Sequence, residues 1–111
     1  VKSSYELLWA EVRNKNPSTL TICNTLRRIL ENYFKLLGGV DPHTFCNQFE
    51  GEDKTICNSL ISWVNDGSHF AMEDFHMSPT DQSVEKYLDV FKRIFETQGH
   101  MGHYDMMMEK K

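Results

Sequence analysis

Apolar residues recur along this chain at helical rather than strand spacing. Tyr5, Leu8, Trp9 and Val12 fall on one face of a 3.6-residue period and predict a first helix over 5–12. Asn14-Lys15-Asn16-Pro17-Ser18 ends it as a polar, proline-marked turn. Cys23, Leu26, Leu30, Tyr33, Phe34 and Leu37 then share one face of a second helix. Ser18 or Thr19 is its expected cap and Gly38-Gly39 its stop, giving a helix of roughly 18 residues, long for a small domain.

Asp41-Pro42 sets a cap followed by proline at the first helical position, so a short helix should bury Phe45, Cys46 and Phe49. Gly51-Glu52-Asp53 breaks it. From Asp53 the next helix should turn Ile56, Cys57, Leu60, Ile61 and Val64 inward and run into Asn65-Asp66-Gly67. Residues 68–77 read as an ordered loop rich in His and acidic side chains. Ser78-Pro79-Thr80-Asp81 starts the last clear helix, with Val84, Tyr87, Leu88, Phe91, Ile94 and Phe95 on one face and Gln98-Gly99 at its end. Residues 100–111 show little periodicity and read as a tail, mobile or docked on a partner through Met106-Met107-Met108. With strand signals nearly absent, the expected architecture is all-α, a bundle of four to five helices in one domain over 1–111.

Composition narrows the picture. The chain has 111 residues, 40% hydrophobic and 25% charged, enough for one modest core. Its formal net charge is −4, and its basic residues adjoin only at Arg27/Arg28 and Lys92/Arg93. Tight autonomous binding of nucleic acid is not expected, because phosphate neutralisation supplies most of that affinity. Cys23, Cys46 and Cys57 cannot all pair within one chain, lack metal-ligand spacing and sit at apolar helical positions. The expected state is reduced and buried, in the cytoplasm. No apolar run approaches the ~20 residues of a membrane span, and no secretory signal is visible. The chain does not start with Met, so it is expected to be part of a longer protein.

Candidate chemistry gathers in two places. On the second helix Asn24, Arg27, Arg28 and Glu31 lie along the flank of the apolar stripe, with Arg27 and Glu31 one turn apart. Such a pair is either a surface ion pair or half of an active site, with Arg on a phosphate and Glu as orienter or base. Asn65, Asp66, Ser68 and His69 follow a later helix, and His is the usual group for moving a proton near neutral pH. His69, Glu73, Asp74 and His76 match no zinc pattern, so no metal site is expected there. His100 and His103 would grip a metal only adventitiously. Gly38-Gly39 lacks the Lys-Ser/Thr of a phosphate loop and follows a helix rather than a strand.

Leu26-Arg27-Arg28-Ile29-Leu30-Glu31-Asn32-Tyr33-Phe34 and Leu60-Ile61-Ser62-Trp63-Val64-Asn65-Asp66-Gly67-Ser68-His69 together resemble the C-terminal region of bacterial ABC/SMC-like AAA ATPases. That group includes the RloC and PrrC anticodon nucleases and the Septu- and retron-associated defence ATPases. Tyr5-Glu6-Leu7-Leu8-Trp9 resembles the stretch after their nucleotide-binding core, so the likeness spans most of 5–104. The resemblance implies a HEPN-like, all-helical effector domain in antiphage defence, a metal-independent endoribonuclease acting on tRNA. Its catalytic set would fall on Arg27, Glu31 and His69, with Arg28, Asn24, Asn65 and Ser68 holding substrate. It also implies a homodimer attached to a parent ATPase core. The chain departs from the common HEPN motif where Ser62, Trp63 and Val64 stand in place of an Arg before the His. No Walker A, signature or Walker B motif is present, so ATP and Mg²⁺ are expected only in an upstream portion, and this segment carries no cofactor of its own. The alternative reading is a non-catalytic helical module that dimerises or docks a partner on the same ATPase.

Overall fold

The computed structural model describes residues 3–18, 21–62 and 81–110. Among them are five α-helices, a 3₁₀ helix and no strand: α1 (Ser4–Arg13), α2 (Ile22–Leu37), the 3₁₀ helix (Pro42–Gln48), α3 (Gly51–Leu60), α4 (Asp81–Thr97) and α5 (Met101–Glu109). The all-α bundle expected from periodicity is the fold observed.

Several helix ends have causes that the side chains show. Ser3 and Glu6 form a reciprocal capping box at α1: Ser3 Oγ accepts from the Glu6 amide at 3.1 Å, and the Ser3 amide donates to Glu6 Oε1 at 3.4 Å. At the other end Arg13 Nη1 reaches the Met107 carbonyl of α5 at 2.6 Å, satisfying a backbone acceptor in that helix's last turn. Asp41 caps the 3₁₀ helix through His43, and Pro42 occupies its first turn, as the sequence predicts. α4 ends in a Schellman motif. The His100 amide bonds the Phe95 carbonyl at 2.7 Å and the Gly99 amide bonds Glu96 at 3.1 Å, with Gly99 at φ +80°.

The core runs through every element. Trp9 is fully buried, its ring meeting Phe91, Phe95 and Tyr104 at centroid distances of 5.4, 5.8 and 5.7 Å. Phe34 of α2 packs edge-on to Phe45 of the 3₁₀ helix at 4.8 Å. α1 lies along α2, α3 packs on α4 and the 3₁₀ helix, and α5 closes against α1 and α4. At the α3–α4 edge Arg93 bonds Asp53 at 2.9 Å and stacks over the Phe49 ring at 4.8 Å.

Several boundaries differ from expectation. Thr21, not Ser18, holds the N-cap place of α2 and makes no side-chain cap bond; the Ser18 carbonyl instead receives the Ile22 amide at 3.0 Å. Thr19 lies outside the described residues. α2 also buries Ile29 and Thr25, while Leu37 is exposed. The reason is that α2 is packed on α1, α3 and α4, so its buried arc is wider than a single stripe. Val90 on α4 is buried in the same way and Leu88 only half-buried. α3 starts at Gly51, where φ is +58°, two residues before the expected Asp53. It ends at Leu60, while Val64 and the expected start at Ser78-Pro79 lie outside the described residues. The segment over 100–111, read as an aperiodic tail, carries α5, with Met107 buried.

Candidate functional site

The flank of α2 is half built by the described residues. Arg27 Nη2 donates to Asn24 Oδ1, three residues back on the same helix. The Arg27 side chain is half-buried, with Cys23 of α2 and Tyr87 of α4 close enough to act on its charge. Burial lowers its proton affinity and the Cys23 and Tyr87 groups oppose that; an Arg remains a cation at neutral pH under such a shift. Arg28 is exposed. Glu31 bonds Lys35 at 3.1 Å, one turn further on, in a solvent-facing pair. A pair of that kind contributes about 0.3–0.5 kcal/mol. The structure therefore joins Arg27 to Asn24 and Glu31 to Lys35. His69, Asn65 and Ser68, with Glu73, Asp74 and His76, lie outside the described residues.

A second polar cluster sits where α1, α2 and α5 meet. Tyr5 Oη shares a hydrogen bond with His103 Nε2 at 2.7 Å, and Tyr33 Oη shares one with His100 Nδ1 at 2.8 Å. The Tyr33 and His103 rings stack with centroids 4.1 Å apart and planes 14° apart. Burial, then the electrostatic influence of the neighbouring His100 and Lys110 side chains, holds His103 below the usual imidazole range, so it is neutral at pH 7. Burial pushes the Tyr5 hydroxyl up to about 12, and Tyr33 moves the same way. A cleft of about 490 Å³ opens beside the cluster, lined by Ser4, Tyr5, Asn32, Tyr33, Leu36 and His103.

Neutral imidazole and protonated phenol give this seam hydrogen bonds without net charge, which suits holding helices together in a partly dry place. Sequence reasoning placed His100 and His103 on a tail and Tyr5 and Tyr33 on apolar stripes. A weak signal was there to read: Met101, Tyr104 and Met108 recur at helical spacing just after Gly99, predicting a short helix that would carry His100 and His103 together. Among the described residues no three His, Cys, Asp or Glu side chains gather as a metal site. No described helix is long and apolar enough to cross a membrane.

The family model AAA_13, described as an AAA domain, matches residues 1–96. The chain belongs to this AAA domain family. The matched span contains the whole flank of α2, including Asn24, Arg27, Arg28 and Glu31, and extends through α4 to Glu96. For the AAA-family chain no curated protein and no solved structure matches. The family assignment ties it to AAA-type ATPases.

Proposed function

We propose that this chain is the HEPN-like effector segment of an AAA-type defence ATPase and cuts tRNA without a metal. The observation that carries the reading is Arg27: a half-buried guanidinium, oriented by Asn24 and set one turn from Glu31. An oriented, partly desolvated Arg suits a phosphate whose negative charge grows as a neighbouring hydroxyl attacks it. In this scheme Arg27 neutralises the non-bridging oxygens and His69 moves protons. Glu31 orients the catalytic groups, and Arg28, Asn24, Asn65 and Ser68 hold the strand. The ribose 2′-hydroxyl attacks its own phosphate, the 5′-oxygen leaves with a proton, and a cyclic phosphate remains. ATP and Mg²⁺ would be bound by the ATPase portion, and two copies would pair.

The test is tRNA cleavage by the full-length protein beside Arg27→Ala and His69→Ala. Loss of a positioned proton carrier or charge stabiliser should slow cleavage by about 10²-fold or more, with cyclic phosphate ends on the wild-type product. Equal cleavage by all three would overturn the assignment.

A second reading is the non-catalytic docking or dimerisation module of the same ATPase. It is favoured by Leu36, 87% exposed at the lip of the Tyr5–Tyr33 cleft, and by the engagement of Glu31 with Lys35. On this reading Leu36→Asp abolishes association with the ATPase portion, and Arg27→Ala leaves that association intact.

A further inference from the structure

Two nucleophilic side chains take no part in the proposed chemistry. Cys46 on the 3₁₀ helix and Cys57 on α3 are both free thiols, with Sγ atoms 2.9 Å apart. They are separated by 11 positions and brought together by the packing of the 3₁₀ helix against α3. We propose that Cys46 and Cys57 are a redox-active dithiol, a modification site that closes to a disulfide when the protein meets a peroxide. The sulfurs need to approach by only about 1 Å more to reach bonding distance, a movement within reach of side-chain rotation.

The electrostatics of the pair suit the first step. When Cys46 loses its proton, the Cys57 S–H donates to the thiolate. That bond pulls the Cys46 thiol below its ordinary value, with a smaller contribution from the Lys54 charge, and pushes the Cys57 thiol above its own. Burial opposes ionisation at both. Cys46 is 3% exposed and Cys57 0%, which decides the oxidant: a peroxide is small enough to enter, whereas a bulky disulfide such as oxidised glutathione is not.

The steps balance. The Cys46 thiolate attacks one peroxide oxygen, the O–O bond breaks, and hydroxide leaves to take up a proton as water. Cys46 is then a sulfenic acid. The Cys57 sulfur attacks the Cys46 sulfur, the S–O bond breaks, and the departing hydroxide takes the Cys57 proton as a second water. Two thiols are oxidised by two electrons and one peroxide is reduced. The product ties the 3₁₀ helix to α3.

Peptide mapping of the full-length protein after hydrogen peroxide treatment, with denaturing alkylation of remaining thiols, tests this. The expected result is a linked Cys46–Cys57 peptide pair, about 2 Da lighter than the two thiol peptides and restored by dithiothreitol. Oxidised glutathione should give it at least about tenfold more slowly, because access limits that reaction. Cys57→Ser should leave a Cys46 sulfenic acid that dimedone traps. Full alkylation of Cys46 and Cys57 at a peroxide dose that oxidises Cys23 would overturn the proposal. So would a crosslink that joins Cys23 to either of them, or sulfinic acid at Cys46 in the wild-type protein without any crosslink.

Discussion

Tyr33 lies face to face with His103, the ring planes 14° apart and the centroids separated by 4.1 Å. One residue comes from the C-terminal part of α2 and the other from α5, so the contact holds the last helix onto the body of the bundle. Tyr5 adds a hydrogen bond to the same imidazole from α1.

This seam makes stability depend on pH in a calculable direction. Burial first, then the electrostatic influence of His100 and Lys110, depresses the His103 pKa below its ordinary value of 6.5 in the folded state. Its contribution is therefore full above the unfolded pKa and is lost as pH falls through the folded pKa. The urea midpoint should fall between pH 7 and pH 5. His103→Gln should flatten that fall, and comparing the two pH profiles isolates this residue from the carboxylates.

Leu30 and Leu36 differ by six positions on α2 and should differ sharply in energetic weight. Leu30 is fully buried, while Leu36 is 87% exposed. Leu30→Ala should cost about 2–5 kcal/mol through lost transfer energy and a cavity. Leu36→Ala should stay within about 0.5 kcal/mol. Chemical denaturation of both variants checks the contrast.

Gly99 sits at φ +80° in the Schellman motif, and an added Cβ there would meet no atom within 4 Å. The cost of Gly99→Ala is thus a backbone cost alone, about 1–2 kcal/mol. Because His100 follows directly, hydrogen exchange should rise at the start of α5 in this variant.

On the flank of α2, stability and activity should separate. Arg27→Lys keeps the charge and loses the planar fork that meets Asn24, so RNA cleavage on the proposed reading should drop at least about tenfold. Lys35→Ala removes only the solvent-facing partner of Glu31 and should cost no more than about 0.5 kcal/mol. Cleavage rates and denaturation midpoints measured together test both.

Much of the helical content was legible because it is written in short-range spacing. The cap at Asp41-Pro42 and the stops at Gly38 and Gly99 follow from what the local dihedrals of Asp, Pro and Gly allow. The inward faces of α1 and α4 were largely readable for the same reason. Ile29 and Val90 were not, since their burial depends on how many neighbours surround each helix. At the candidate site, the spacing of Asn24, Arg27 and Glu31 was readable. The turn of Glu31 to Lys35 was not, because two neighbours one turn away on either side compete for one carboxylate.

By itself, the order of residues determined that this chain is helical, roughly where every described helix but α5 lies, and most of the stripe by which α1 to α4 meet the core. Periodicity and turn chemistry act over a handful of residues and need no knowledge of the rest. Only the packed structure decided that Cys46 meets Cys57, that Tyr5 and Tyr33 close on His103, and that Tyr87 comes close enough to act on the Arg27 charge. Those meetings depend on how whole helices dock, a property set by the shape of the shared core and not by the spacing along any one segment.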